Sequence, residues 1–429
     1  MRLASGSFWN AILNFFSKGF SFLGTIIIIR LIGREAFGEF GLLNTTISMF
    51  GMFTAFSISQ TATKYIAQYR NSDKEKASRI IGISFLFSGL VGSLVFLVVV
   101  FFAKSLAIHS LGAPHLQSSL QLMALGVLFG SLNGVQNGII YGLEAFKVNT
   151  YLGIFLGFVL TLIKVLLTYY FGFFGAVVGM TLEPVITYVI TFKITKNLMF
   201  KEGLTVRFKG SLQEASILFT YSLPTILSGL LLIPTQWYVM TLLARENNGF
   251  FELAGYNASL QWFNVLIFVP YIVMAAFLPV FSDLIQQEKL SQVNRVVKNT
   301  VVLILGIFVP LSAVFLFFGD KIALIYGSEF GGVGYLLALS IIAMIPQSLL
   351  LIFSNLAAAM NHLWFSFSAQ LTWSVVLLSF SYLWLGFGAE GLLYARLLAF
   401  SVQLLVFLMY YFWWRAKFKK NSGVNMIRL

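Results

Sequence analysis

Long runs of apolar residues constrain the fold of this chain more than any other feature. A helix that crosses the hydrocarbon core of a bilayer needs about 20 mostly apolar residues, and twelve such runs alternate with charged or turn-rich segments. Strands of a membrane barrel would show short segments of alternating polarity instead. The sequence therefore predicts an all-α polytopic membrane protein, with spans near 8–32, 38–60, 80–103, 117–141, 148–170, 174–194, 214–244, 257–281, 300–318, 333–358, 364–386 and 389–414.

The charged residues are too few for a soluble protein, and they sort by side of the membrane. Only 10% of the residues are charged, whereas soluble domains average about 25%. Of the 28 lysines and arginines, three fall inside spans, five on one side and the other twenty on the opposite side. Because cytoplasmic loops carry the excess of basic residues, both termini are predicted to be cytoplasmic. The net charge of +13 then reflects topology and contact with anionic membrane lipids, and we expect no nucleic-acid partner.

The two halves of the chain resemble each other at an offset of 216 residues. Arg79 begins the third run as Arg295 begins the ninth, and each run ends in a Phe-Phe pair. Further along, the pairing of Gly175 with Gly388 suggests an offset of 213. Since six spans per half is an even number, the repeat is parallel, as in transporters that bind substrate between two lobes near the midplane.

The repeat predicts four segments. They are an N-terminal lobe (1–197), a cytoplasmic linker (198–213), a C-terminal lobe (214–414) and a basic cytoplasmic tail (415–429).

Polar side chains recur at helical spacing in four of the predicted spans. Intervals of three and four residues place each set on one helix face. Such rows either join neighbouring helices or line a hydrated cleft, and their presence in the opening helices of both halves favours a cleft. The rows are Ser7, Asn10, Asn14, Lys18, Ser21 and Thr25; Asn44, Ser48, Gly51, Ala55 and Ser59; Tyr221, Thr225, Ser228 and Gln236; and Asn257, Gln261 and Asn264.

Four charged side chains stand out within spans. Lys18 lies about ten residues into the first span, and a charge at the midplane costs at least about 2.5–3.5 kcal/mol. It is a functional candidate, unless its stem reaches the interface by snorkelling. Lys164, Glu183 and Arg396 are candidates for intramembrane charge pairing or coupling. Glu183 and Arg396 correspond at the offset of 213, and either they pair or each serves its own lobe.

Glycine recurs at every fourth residue of the fourth span. Such a ladder lets a neighbouring helix approach closely, and it also lowers helix rigidity. We expect packing rather than hinge bending at Gly126, Gly130, Gly134, Gly138 and Gly142.

Motifs that would carry catalysis are not found in the sequence. It has no cysteine, three histidines and three aspartates, and no phosphate-binding Gly-Lys-Ser/Thr loop. We therefore expect no metal site, no cofactor and no enzymatic activity.

Five segments resemble polysaccharide biosynthesis transporters, the Wzx-type lipid-linked oligosaccharide flippases. They are Arg30–Leu43, Tyr141–Lys147, Gly172–Ala176, Leu253–Tyr256 and Ile325–Phe330. The resemblance implies two six-helix bundles in the V-shaped fold of the MOP superfamily, which includes the multidrug and toxin extruders (MATE) and the lipid II flippase. It also implies that helices 1, 2, 7 and 8 line the cleft.

The resemblance further implies a cargo. Family members carry undecaprenyl-diphosphate-linked O-antigen or capsule units from the cytoplasmic to the periplasmic leaflet of the bacterial inner membrane. Lys18 would hold the diphosphate, and a glycan polymerase or ligase complex would be a partner. The eighth span has no basic residue, which leaves a larger cationic cluster unsupported. The predicted sugar contacts are Asn10, Asn14, Asn44, Gln236, Trp237, Asn257, Gln261 and Asn264.

Three other functions remain open from the sequence, and one of them, a non-transporting scaffold for a glycan assembly complex, is disfavoured by the polar rows. A cation-coupled multidrug exporter would share the fold, although drug-extruding relatives tend to carry an acidic residue in helix 1, where this chain has Lys18. A membrane glycosyltransferase or ligase would usually need a long outer loop or an acidic metal motif. Every predicted outer loop here has about 16 residues or fewer.

Overall fold

The computed structural model describes residues 2–214, 231–275, 277–287, 289–360 and 362–426, and all regular elements in those residues are helical. The chain forms two compact units, Met1–Ala254 and Gly255–Leu429. The predicted lobe and linker limits near 197–214 stay a prediction.

In its described residues the first unit contains five long helices, a sixth that is described from Leu231 to Ala244, and the start of a seventh. Their lengths follow from the apolar runs, and Asp73 caps the third helix by accepting a hydrogen bond from the Lys76 N–H (2.8 Å). The helices are α1 (Arg2–Ile32), α2 (Arg34–Tyr69), α3 (Lys74–Ser105), α4 (Gln117–Gly142), α5 (Phe146–Lys201), α6 (Leu231–Ala244) and α7 (Gly249–Leu266), which continues into the second unit.

The second unit repeats this plan. The 26-residue helix α11 packs on α9, α10 and α13, as the 26-residue α4 packs on α2, α3 and α5 in the first unit. Its helices are α8 (Phe268–Ala275), α9 (Phe277–Gln286), α10 (Leu290–Ala323), α11 (Gly334–Ala359), α12 (Leu363–Leu383) and α13 (Gly388–Met426).

Eight helices of the described residues are long and apolar enough to cross a membrane. They contain nine of the twelve predicted spans, because α5 holds both the fifth and the sixth. The predicted span 214–244 is described only from Leu231 onward, and 257–281 is divided among α7, α8 and α9. The span predicted at 364–386 is the 21-residue helix α12.

Two glycines share an unusual backbone conformation at the same place in each half. Gly172, at the kink of α5, has φ 57° and ψ −137°, and Gly388, before α13, has φ 61° and ψ −138°. Only glycine adopts this region readily. These two positions are 216 residues apart, so the predicted change of offset to 213 was wrong. Glu183 and Arg396 therefore do not occupy corresponding positions.

The glycine ladder of α4 packs on α2 at its C-terminal end, as predicted. A Cβ at Gly138 would lie 2.7 Å from the Ala62 Cβ, and one at Gly142 would lie 2.8 Å from the Ile66 Cβ. Gly130 differs, because a Cβ there would have no neighbour within 4 Å. Gly138 and Gly142 thus allow the close approach of α2 to α4.

Candidate functional site

The kink at Gly172 divides α5 into a first arm before it and a second arm after it. One face of α1 packs on the first arm of α5. The Thr150 hydroxyl donates to the Trp9 carbonyl oxygen (3.0 Å), and the Phe20 and Phe158 rings lie 5.5 Å apart, edge to face. A Cβ at Gly24 would overlap the Thr161 side chain. The α1 residues in this contact, spaced by three and four, are Trp9, Leu13, Ser17, Phe20 and Gly24.

The polar row of α1 lies on a different face. Each of its members from Asn10 to Thr25 directly follows a packing residue, and one residue turns an α-helix by about 100°. Asn14 and Ser21 are exposed, and Lys18 is half-buried. The Asn10 side chain lies outside the described residues. The row therefore does not join α1 to α5.

The first three members of the row on α2 also face open space, whereas Ser59 packs on α4 and the Ala55 side chain lies outside the described residues. Asn44 and Ser48 are exposed, and a Cβ added at Gly51 would meet no atom within 4 Å. The side chains on this surface of α2 are small or polar, so the surface leaves room for a ligand.

Helix α6 is held against α2 by a predicted site residue. The Trp237 indole N–H donates to the Thr46 hydroxyl (3.0 Å), and the ring itself is half-buried. Gln236 beside it is half-buried as well. Trp237 thus has a structural hydrogen bond in addition to its predicted role as a stacking surface. Sequence patterns did not identify Thr46, whose hydroxyl also donates to the Leu42 carbonyl oxygen (2.7 Å).

The first unit contains a cavity of about 340 Å³ between α2, α4 and the second arm of α5. Asn133 lies in its wall and donates to the Pro184 carbonyl oxygen (2.8 Å). Glu183 also lines it, and its carboxylate is 2.6 Å from the Lys164 ammonium. Thr181 and Thr187 complete the polar lining. Sequence patterns did not identify these threonines, since isolated threonines are common in membrane helices.

The polar row of α7 divides among three environments in the second unit. Gln261 accepts a hydrogen bond from the Tyr326 hydroxyl (3.0 Å). Asn257 is half-buried, and its Nδ2 atom has no hydrogen-bond partner. Asn264 is exposed. Gln261 therefore supports packing within its own unit, while Asn264 lies at the surface.

Arg396 is buried in the second unit among aromatic rings. Its side chain is 4% exposed, and its Cζ lies 4.7 Å from the centroid of Phe263 and 5.3 Å from that of Phe400. Nε and Nη1 have no hydrogen-bond partner. Glu183 pairs with Lys164 within the first unit, and Arg396 lies among rings of the second unit.

Family models match most of the chain. The model of the polysaccharide biosynthesis protein family matches residues 3–285, which is well over half of the sequence. The MatE family model matches residues 224–362. No curated protein sequence matches the chain.

Solved structures share the fold. A multidrug resistance MATE family transporter of the MOP superfamily, in an inward-facing conformation, matches with TM-score 0.78 and 14% identity over 96% of this chain and 99% of that chain. The lipid II flippase MurJ, in an inward closed conformation, matches with TM-score 0.70 and 13% identity over 93% and 86%. A MOP superfamily transporter from Pyrococcus furiosus, described as having a binding pocket of reverse polarity, matches with TM-score 0.61 and 15% identity over 96% and 95%.

The apolar helices and these fold matches describe a multi-pass, all-α membrane protein with a MATE-like fold. The match over residues 3–285 places it by sequence: the chain belongs to the polysaccharide biosynthesis protein family.

Proposed function

We propose that this protein is a flippase for undecaprenyl-diphosphate-linked oligosaccharide repeat units of O-antigen or capsule. It moves them from the cytoplasmic to the periplasmic leaflet of a bacterial inner membrane by alternating access, with both termini in the cytoplasm. Membership of the polysaccharide biosynthesis family supports the glycan. The shared fold with a protein named as a lipid II flippase supports a lipid-linked cargo.

The observation that carries the proposal is the separation of two faces on α1. Hydrophobic and small residues hold α1 to α5, while Asn14, Lys18 and Ser21 lie about 100° away. An ammonium group deep in a span is costly unless it meets an opposite charge or water. A lysine is a suitable point charge for phosphate, so Lys18 binds the diphosphate.

The remaining polar side chains bind the sugar part of the cargo. Asn14 and Asn44 are exposed amides in the first unit and contact sugar hydroxyls. Asn10 and Gln236 have the same proposed role, and the exposed part of the Trp237 ring provides a stacking surface. In the second unit Asn257, Gln261 and Asn264 are proposed sugar contacts. The prenyl chain stays in lipid.

The test compares Lys18→Ala with Lys18→Arg in cells that lack their own flippase for the same glycan. Loss of surface glycan with Ala and retention with Arg are expected, because only Arg keeps the charge. Lys193→Ala, at an exposed position near the end of α5, is the matched control and should leave glycan display normal. Normal display with Lys18→Ala, at equal membrane abundance, would contradict the phosphate role.

The second candidate is a cation-coupled multidrug exporter, which the MatE match over residues 224–362 favours. Lys18 argues against a cationic cargo, since like charges repel. Expression in a drug-sensitive strain separates the two functions. Resistance to cationic dyes without restoration of glycan display would support the exporter.

A further inference from the structure

The segment after α5 docks on the first turns of α3. We call residues 202–214 the strap. The N–H of Thr205 donates to Ser78 Oγ, and the N–H of Arg207 donates to the Ser78 carbonyl oxygen, both at 3.2 Å. A Cβ at Gly82 would overlap the Arg207 carbonyl. The strap therefore runs in contact with α3 between Ser78 and Gly82.

Ion pairs and apolar burial hold the strap in place. Arg79 Nε and Nη2 both donate to Glu214 Oε1 at 3.2 Å, and Glu214 is 8% exposed. Arg207 pairs with Glu75. Leu204 is buried in an apolar cluster with Ile66 and other residues of the first unit. These contacts fix both ends of the strap to the helices of the first unit.

The depth of the strap follows from the length of α3. Lys104 is the basic residue in the last turn of α3, and Gly82 precedes it by 22 residues. At 1.5 Å per residue this stretch rises about 33 Å, close to the roughly 30 Å thickness of the hydrocarbon core. If Lys104 marks one interface, Gly82 and the strap lie at the other, which the distribution of basic residues assigns to the cytoplasm.

The outer surface of the strap exposes two large apolar side chains, one lysine and, at its first residue, Glu202. Phe208 is 57% exposed and Leu212 70% exposed. Lys209 directly follows Phe208 and Lys201 ends α5 just before the strap, and both are exposed. Phenylalanine and leucine together with lysine characterise segments that lie in the membrane interface, where the apolar groups enter the headgroup–acyl boundary and the lysines attract anionic lipids.

We propose that the strap is an interfacial anchor that binds the anionic phospholipid surface of the cytoplasmic leaflet. Phe208 and Leu212 enter the headgroup–acyl boundary, and Lys201 and Lys209 contact lipid phosphates. The anchor acts on α3 through Ser78 and Arg79, so it couples the first unit to the charge of the surrounding lipid. This surface is separate from the proposed cargo contacts and does not depend on the cargo.

The absence of cysteine from the sequence allows single-cysteine labelling of the full chain. Phe208→Cys and Ser72→Cys variants, each carrying an environment-sensitive fluorophore, are reconstituted in vesicles of phosphatidylcholine and phosphatidylglycerol with brominated acyl chains. Ser72 is exposed in the turn before α3, about 15 Å from Gly82 along the helix direction. Quenching at position 208 should exceed that at 72 by about twofold or more, because only 208 reaches the boundary. Equal quenching overturns the anchor.

A second arm tests the lipid charge. In the labelled Phe208→Cys protein, adding phosphatidylglycerol to phosphatidylcholine vesicles should shift the emission to shorter wavelength. Lys201→Gln with Lys209→Gln should abolish that shift, since basic residues near the membrane surface supply the attraction to anionic lipid. Lys298→Gln, at an exposed lysine of α10, is the control. An unchanged shift in the double variant overturns the headgroup contact.

Discussion

The ammonium of Lys164 lies 2.6 Å from Oε2 of Glu183, and this ion pair joins the two arms of α5 across the kink at Gly172. Gly179 allows the arms to meet, because a Cβ there would lie 2.9 Å from the Lys164 Cγ. The pair therefore closes a hairpin within a single 56-residue helical segment.

Removing one partner of this pair should destabilise the protein. Lys164→Met or Glu183→Gln leaves one uncompensated charge within a span, and we expect a loss of about 1–3 kcal/mol. The double variant should recover much of that loss, since neither charge remains. Thermal unfolding in detergent measures all three. Additive losses in the double variant would show that the two side chains do not interact.

The kink itself should require glycine. Gly172→Ala places a Cβ in open space, so any loss comes from backbone strain at φ 57°. We expect a loss of about 1–3 kcal/mol, and a similar one for Gly388→Ala. Gly386→Ala also adds a Cβ to open space but without a positive φ, and it should unfold close to the parent temperature. Equal unfolding temperatures for all three variants would contradict the strain.

The contact between α2 and α4 should not tolerate a methyl group. Gly138→Ala brings a Cβ to 2.7 Å from that of Ala62, and overpacking of this kind costs about 1–3 kcal/mol. Gly130→Ala on the same helix meets nothing within 4 Å and should be neutral or stabilise by about 0.5–1 kcal/mol. The difference between the two unfolding temperatures is the measurement. A stabilised Gly138→Ala protein would mean that the helices can separate without cost.

Replacing Arg396 by an apolar residue should stabilise the protein. Its guanidinium is permanently charged and has no salt bridge to an acidic residue in the described part of the chain. Arg396→Met should therefore raise the free energy of unfolding by about 1–2 kcal/mol, even after losing its contacts with the rings. Arg396→Lys keeps the charge and loses the planar stacking, so it should lower stability. A destabilised Met variant would reveal a favourable partner.

Sequence periodicity predicted the helices well because apolar run length follows directly from membrane thickness. It could not predict which parts of the chain meet. Lys164 and Glu183 looked like separate charges, because nothing in the spacing shows that α5 folds back at Gly172. The Gly-Ala pairs at Gly175 and Gly388 gave a false correspondence, since residue identity does not report φ and ψ.

For the candidate site, too, the sequence predicted the positions of side chains along a helix but not the contacts between helices. The row at Asn14, Lys18 and Ser21 follows from helical spacing alone. The direction in which this row points could not be predicted, because it is set by the packing of the neighbouring face of α1 on α5. That packing depends on the α5 residues that fit against Leu13 and Gly24. The docking of Arg207 on Ser78 was not predictable, because a linker of mixed composition has no periodic pattern.

The polar face of α1 lies one residue further along the chain than its packing face, and this makes the exact length of the helix a functional constraint. A single inserted residue after Lys18 would carry Asn14 and Lys18 into the places that Leu13 and Ser17 hold against α5. Composition would be almost unchanged, yet an amide and an ammonium would be pressed into a helix contact. Within α1, insertions and deletions should therefore be more damaging than most substitutions.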